Sequence, residues 1–450
     1  MKDHVLRVIE EKLADALEQT FPALTRREVS LPAVPNKAHA ITGMRRAGKT
    51  CFLFQCLHDA LAAGVARERL VYFNFEDERL AGMAAEDLSV IVEQYYRRFP
   101  DFRRKEEVVF CLDEIQVVEG WERFVRRIMD SEKVRVLLGG SSAKMLSREV
   151  ATSMRGRALE IVVTPFSFRE FLAARGIRPP GGEAMPGARQ RSALRGAFDE
   201  YVRHGGFPEA ATLPGEEERV RLLQGYVDTV LFRDVAERHG VGNLVALRAF
   251  VRQLLRNPSA ALSVTRISND FRSRGIAASK ETLLAFLDYL EDAFLVNALP
   301  VHARSERRRQ VLPRKLYLAD HALAAAFSPA AGLDRGHLVE NIVACELVRH
   351  TRDLAYFKTN DGLEVDFLAT TFDGREMLAQ VASDVSDADT LGREVRALEA
   401  AGRERTNAEL WLLCEDAPGA KMESVIGALP QKIHVAELWR WLALAPAARF

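Results

Sequence analysis

The chain has 450 residues, with 63 Lys plus Arg against 63 Asp plus Glu, 48% hydrophobic and 28% charged. That length suits about two to four domains with real cores; disorder, collagen and membrane-span classes are excluded, since no apolar run approaches the ~18 residues a spanning helix needs. Zero net charge excludes a uniformly basic coat, but not a basic patch balanced by acids elsewhere.

Taken in chain order, residues 5–17 have the i, i+3, i+4 apolar spacing of a helix, and Pro32 and Pro35 punctuate a linker. Residues 37–42 predict a strand ending in a glycine turn, and residues 50–63 a helix stopped by Gly64. Apolar runs at 70–75, 108–112, 134–138 and 158–163 alternate with helical segments. Buried strands alternating with helices indicate an open parallel α/β sheet covered on both faces. A Pro/Gly-rich break at Pro179-Pro180-Gly181-Gly182 follows. Residues 197–203, 216–237 and 243–255 then predict helices, as do 264–274 and 279–293 around a turn at Gly275. Two strands at 294–301 and 311–318 flank a basic loop. The last third predicts a helix at 337–350, strands at 354–358, 363–369 and 376–382, a helix at 389–401 and a strand at 409–414. The expected division is 1–35 (helix and linker), 36–175 (α/β core), 190–325 (helical segment) and 330–450 (second α/β domain).

Gly43-Met44-Arg45-Arg46-Ala47-Gly48-Lys49-Thr50 matches G-x-x-x-x-G-K-[ST], between a strand and a helix. Glycines let such a loop fold into a nest whose N–H groups, with those of the helix start through Cys51, face phosphate oxygens. Lys49 is expected on the β- and γ-phosphates of ATP, and the Thr50 hydroxyl on Mg²⁺. The strand at 108–112 ends in Asp113 and Glu114. Asp113 suits Mg²⁺, and Glu114 suits polarising a water for attack on the γ-phosphate. The strand at 134–138 ends in Gly139-Gly140-Ser141-Ser142, where Ser142 or Ser141 would sense the γ-phosphate or cap a helix. Arg155 or Arg157 would serve a neighbour's γ-phosphate in trans or solvate the surface.

Together these motifs resemble the AAA+ ATPases, in particular a prokaryotic branch close to archaeal-type and origin-recognition ATPases. Thr164-Pro165-Phe166-Ser167-Phe168-Arg169-Glu170-Phe171 and His204-Gly205-Gly206-Phe207-Pro208-Glu209-Ala210 are similar to segments of the same group. The resemblance implies a P-loop AAA+ parallel sheet, a helical and winged-helix segment, and a C-terminal restriction-endonuclease-like domain. It also implies a homo-oligomer, with a hexamer-like ring favoured.

Residues 263–293 suit a helix-turn-helix, with the following strand pair as its wing. The loop from 301 to 315 holds Arg304, Arg307, Arg308, Arg309, Arg314 and Lys315 against Glu306. With Lys280, Arg304, Arg307, Arg308 and Arg309 form a candidate DNA contact; the alternative is a module packing between subunits. The order helix, three strands, helix, strand resembles the PD-(D/E)xK nuclease core, with Glu340 and Asp366 at its first two acidic places. The third place reads Gln380-Val381-Ala382, which lacks both a carboxylate and a lysine, so the fold is expected without cleavage.

Five cysteines form no C-x-x-C pair, and ten histidines form no H-E-x-x-H. With no secretory core at the N-terminus, the expected location is cytoplasmic. The expected function is a Mg²⁺-dependent, oligomeric AAA+ ATP hydrolase that remodels or translocates on DNA. The alternative is a nucleotide-switched signalling or defence scaffold.

Overall fold

The structure, a computed structural model, describes residues 3–140, 154, 156–178, 186–303, 305, 309, 312–328, 334–383, 388–416 and 432–444. The chain divides into two compact units, Met1–Thr164 with Asp292–Phe294, and Pro165–Glu291 with Leu295–Phe450.

Unit 1 opens on α1 (Asp3–Glu18), which buries Val5, Val8, Ile9 and Leu13 in the core as its periodicity predicts. Five strands follow, β1 (Ala38–Thr42), β2 (Leu70–Asn74), β3 (Val108–Asp113), β4 (Val134–Gly139) and β5 (Ala158–Val162). All pair in parallel, in the order β2-β3-β4-β1-β5. Helices α2 (Lys49–Ala62), α3 (Leu88–Arg98) and α4 (Trp121–Ser131) connect them. Both faces of the sheet are covered, so the strands are apolar throughout and their side chains alternate between two cores. Val108, Phe110 and Leu112 join α1, α3 and α4 on one face. Val109 and Cys111 join Phe52, Leu53 and Leu57 of α2 on the other. Because β4 lies between β1 and β3, the glycine loop after β1 and the acids after β3 flank the end of β4 on the same sheet edge.

Unit 2 begins with α5 (Phe168–Ala174), α6 (Ala188–His204), α7 (Pro208–Thr212) and α8 (Glu216–Thr229). The helix expected over 216–237 continues past Thr229 as a π-helical stretch, Val230–Glu237. Next come α9 (Leu244–Leu255), β6 (Ala261–Leu262), α10 (Val264–Ser273), α11 (Lys280–Asp292), β7 (Val296–Leu299) and β8 (Arg314–Leu318). Strands β6, β8 and β7 form a small antiparallel sheet in that order. Then follow α12 (Ala322–Phe327), α13 (Arg335–His350), β9 (Thr351–Lys358), β10 (Glu364–Thr371), β11 (Glu376–Ala382), α14 (Ala388–Glu404), β12 (Glu409–Cys414), β13 (Ile433–Glu437) and α15 (Leu438–Ala443). The second sheet runs β13-β12-β11-β10-β9, antiparallel through β9, β10 and β11 and parallel through β11, β12 and β13.

Val339, Ile342 and Val343 of α13 pack on one face of this sheet, in a core shared with Phe168, Phe198 and Tyr201 from the first helices. Leu391, Val395 and Leu398 of α14 pack on the other. The 204–210 motif serves this unit's packing. The Gly206 N–H donates to Asp320 Oδ2 (2.6 Å), and the Gly206 carbonyl accepts from Phe166 N–H (2.6 Å). A Cβ on Gly205 would lie 2.2 Å from Asp320 Oδ1, and one on Gly206 2.3 Å from the Phe166 carbonyl oxygen, so neither position has room for a side chain.

Candidate nucleotide site

The loop from Gly43 to Gly48 leaves β1 and enters α2, whose first intrahelical bond is Phe52 N–H to the Gly48 carbonyl (2.9 Å). Lys49, Thr50 and Cys51 therefore open the helix, in the turn whose N–H groups point toward a bound anion. Gly43 takes φ 134°, and a Cβ there would lie 2.1 Å from the Val163 carbonyl oxygen. Gly48 is left-handed at φ 99°, and Arg46 also has positive φ, 66°. Met44 and Ala47 are buried, Arg45 is half-buried, and Arg46 and Cys51 are exposed. The buried Lys49 ammonium donates to the Gly43 and Met44 carbonyls, 3.0 Å each.

Thr50 Oγ1 donates to Asp113 Oδ2 at 2.9 Å, bringing the two expected Mg²⁺ ligands together. Asp113 is 2% exposed, and its Oδ2 also accepts from the Tyr72 hydroxyl on β2 (2.9 Å). Burial, and then the Asp113 charge, hold the Tyr72 phenol far above its ordinary range, so it acts only as a neutral donor. Beside Asp113, Gly139 ends β4; a Cβ there would lie 2.0 Å from Asp113 Oδ1. A Thr hydroxyl and a carboxylate held together, below a glycine loop that tolerates no side chain at Gly43, fit Mg²⁺-ATP in chemistry and in space.

Glu114 stands one residue past β3 in the left-handed region, φ 55° and ψ 34°, with its N–H bound to the Gly139 carbonyl (2.9 Å). That turn separates it from Asp113: one acid is held by Thr50 and Tyr72, while the other accepts from the Gln116 side-chain amide. Burial raises the Glu114 carboxyl above its usual value; the Lys49 charge and the Gln116 amide pull back.

Three site residues carry no strong sequence signal. Tyr72 reads as an ordinary aromatic in a strand. Gly139 reads as a lead-in to the serines. Arg27, in the Pro-punctuated linker, is 5% exposed and donates to the Ala47 carbonyl of the glycine loop (2.8 Å) and to the Thr164 carbonyl. The core accepts this cation because backbone carbonyls of the glycine loop and of the segment after β5 receive it.

Ser141, Ser142 and Arg155 lie outside the described residues. Arg157 precedes β5 and pairs with Asp130. It stands at the N-terminal end of a five-residue strand, ~16 Å of chain from the edge that bears the glycine loop. It is therefore remote from this chain's own phosphate site.

In unit 2, Lys280 opens α11 and is exposed, while Arg304, Arg307 and Arg308 lie outside the described residues. Arg309 pairs with Asp353 (3.5 Å). The expected basic loop is shortened by the structure: Arg314 and Lys315 belong to β8, and Lys315 is buried at 7% exposure. Its ammonium lies 3.2 Å from Glu340, 2.9 Å from Glu364 and 3.0 Å from Asp366. Tyr317, two residues on and on the same face, donates to Glu340 Oε1 (2.6 Å). Burial opposes the Lys315 charge, yet Asp366, Glu340 and Glu364 together hold the ammonium above its ordinary value. Burial and Asp366 push the Glu340 carboxyl up; Lys315 and Lys358 outweigh burial at Glu364 and hold it down. Gln380 Oε1 accepts the Asp366 N–H (3.1 Å), and its amide donates to Glu394 (2.8 Å). So Glu340, Asp366 and Gln380 do come together, around a cation that the chain itself supplies. Among the described residues, no group of three or more His, Cys, Asp or Glu is arranged to hold a metal ion. No helix among them is long and apolar enough to cross a membrane.

The AAA domain family matches residues 35–172; a domain of unknown function (DUF8612) matches 195–334 and another (DUF4143) matches 335–430. Among solved structures, the Walker-type ATPase PABY2304 of Pyrococcus abyssi is similar, with 15% identity, 71% of this chain and 94% of that chain covered, and a TM-score of 0.37. An uncharacterized protein of Haemophilus influenzae is 29% identical over 348 residues, 77% of this chain and 82% of that protein. The uncharacterized protein MJ1544 of Methanocaldococcus jannaschii is 30% identical over 444 residues, 96% of this chain and 95% of that protein. With that identity along nearly the whole of both chains, and with its phosphate loop inside the matched AAA domain, this protein belongs to the same family as MJ1544 and carries an AAA+ core.

Proposed function

We propose that the protein hydrolyses ATP with Mg²⁺ and works as a homo-oligomer, a hexamer-like ring, that remodels or translocates on DNA. The observation that carries hydrolysis is the pairing of Thr50 with Asp113 at 2.9 Å beside a separately oriented, half-buried Glu114. Bound Mg²⁺ would be held by Thr50 and Asp113 and would neutralise phosphate charge. Glu114 would orient the attacking water and take its proton, and Lys49 would hold the transferring phosphate. Assembly is supported by the position of Arg157, which suits contact in trans. Ser142 is the proposed γ-phosphate sensor, and Arg155 shares the in-trans role with Arg157. The helices α10 and α11, with the strand pair β7 and β8, support a winged-helix contact to DNA through Lys280 and the loop arginines.

Lys49→Ala is expected to abolish nucleotide binding or turnover, and Glu114→Gln to bind ATP and trap it. Unchanged hydrolysis in both variants removes the assignment.

A second reading concerns unit 2. The Lys315 ammonium bound to Glu340, Glu364 and Asp366 favours a nuclease-like fold without cleavage, which grips DNA or recruits proteins as a nucleotide-switched scaffold. Cut products with Mg²⁺ or Mn²⁺ would refute it. Turnover indifferent to forked and duplex DNA favours the scaffold over the motor.

A further inference from the structure

Helix α9 buries Leu247, Phe250, Val251 and Leu254 on one face. Along another face run Arg248, Arg252 and Arg256, at i, i+4 and i+8, all exposed. They line a cavity of about 540 Å³ together with Asp228 and Gln224 of α8 and Phe327 at the end of α12. None of the three arginines is in an ion pair among the described residues, although Asp228 shares their cavity. Arg256 Nε donates to the Phe327 carbonyl (3.0 Å), and Arg248 lies over the Phe232 ring, 4.7 Å from its centre. The Arg252 guanidinium makes no hydrogen bond among the described residues. Ser328 Oγ, also on the cavity wall, is buried without a hydrogen-bond partner among them. Elsewhere in unit 2 exposed arginines are commonly neutralised, as Arg274 is by Asp270 and Arg335 by Glu415. Arg248 and Arg252 on α9 and Arg256 at its C-terminal cap are set apart by their arrangement, three guanidinium groups without an ion pair on successive turns, facing one concave wall.

From these facts we infer that the α9 arginine face binds the phosphodiester backbone of a nucleic-acid strand. Each step of four residues advances ~6 Å along the helix, which matches the spacing of consecutive phosphates along one strand. Arginine's planar fork grips phosphate oxygens bidentately, where lysine would act only as a point charge. Phe327, on the cavity wall, supplies a ring beside the row on which a base stacks regardless of sequence. An acidic peptide would satisfy the charge but gives the Phe327 ring no role. The inference rests on the reading that the protein works on DNA, and it places a grip on α9, apart from the loop around Arg309.

The test is fluorescence anisotropy of the full chain with labelled single-stranded and duplex oligonucleotides across a salt series. Arg248→Gln/Arg252→Gln/Arg256→Gln should weaken single-strand binding at least tenfold. It should also reduce the log–log salt slope by about 2, since each single-strand phosphate contact contributes about 0.7. Arg252→Gln alone, which removes no contact seen in the structure, should reduce it by about 0.7. Basal ATP turnover and thermal midpoint should match wild type in both, which separates this result from a folding defect and from the ATP site. Wild-type binding with an unchanged slope in the triple variant overturns the α9 assignment but leaves the DNA reading intact. No wild-type binding to any oligonucleotide overturns both. Competition by polyglutamate equal to that by oligonucleotide, charge for charge, overturns the nucleic-acid assignment in favour of an acidic protein partner.

Discussion

The Tyr72 hydroxyl and the Thr50 hydroxyl converge on one oxygen, Asp113 Oδ2, each at 2.9 Å. One comes from the neighbouring strand and the other from the helix after the glycine loop, so the carboxylate is fixed from two directions. A hydrogen bond to a charged group is worth about 1.5–3 kcal/mol. Tyr72→Phe keeps the ring packed against Phe54 and removes only the donor. It should lower kcat by about tenfold and raise the Mg²⁺ concentration for half-maximal turnover, with ATP affinity nearly unchanged. A magnesium titration of turnover checks this; an unaltered magnesium requirement would show that Tyr72 serves packing alone.

Gly139→Ala places a methyl 2.0 Å from Asp113 Oδ1. The backbone there is locked by pairing with both β1 and β3, so the carboxylate must move, which disturbs its hydrogen bonds from Thr50 and Tyr72. Turnover should fall far more than stability: at least a hundredfold in kcat, against overpacking that costs about 1–3 kcal/mol. Comparing kcat with a urea midpoint separates the two effects.

The pH dependence has a definite sign. Burial raises the Glu114 carboxyl, so the ionised base form appears only as pH climbs through a value above the ordinary ~4.3 of a glutamate. Turnover should therefore fall on acidification earlier than a free carboxylate would dictate. The Gln116 amide favours the ionised form, so Gln116→Ala should move the acid limb of the kcat profile to still higher pH. A limb that stays in place would mean that Glu114 is not the titrating group.

Lys315→Met should destabilise unit 2 by about 3–5 kcal/mol, because breaking a buried ion pair leaves its partner charges uncompensated. Without the ammonium, burial leaves the Glu340 carboxyl still further above its ordinary value, so Glu340 holds its proton more tightly folded than unfolded. The loss should therefore grow as pH rises through and above the ordinary ~4.3 of an unfolded glutamate. Urea unfolding at acid and neutral pH measures it. Adding Asp366→Asn should restore part of the loss, a coupling that two independent sites would not give.

The parallel sheet and the glycine loop were legible because both are local. Strands buried on two faces read as continuous apolar runs, as at 108–112, and the loop's fixed positions sit within eight residues. Tyr72, Arg27 and Gly139 were not legible, because their roles arise only when β2, the linker and β4 meet the glycine loop and Asp113 in space. Lys315 was misread for a related reason. Counted along the chain it belongs with Arg304–Arg309, but β8 turns it inward toward acids 25, 49 and 51 residues away. Strand β13 and helix α15 escaped notice because each is short, five and six residues. The π-helical stretch after Thr229 keeps an apolar pattern that reads as α-helix.

That inward lysine also fixes where the protein can be cut. The matched segments 195–334 and 335–430 meet between β8 and α13. A fragment beginning at residue 335 would retain Glu340, Glu364 and Asp366 while discarding Lys315 and the Tyr317 hydroxyl. It would lose the ammonium that meets all three acids and the hydroxyl bound to Glu340. The two segments therefore form one inheritable piece of structure, and any attempt to study the C-terminal sheet alone must carry β8 with it.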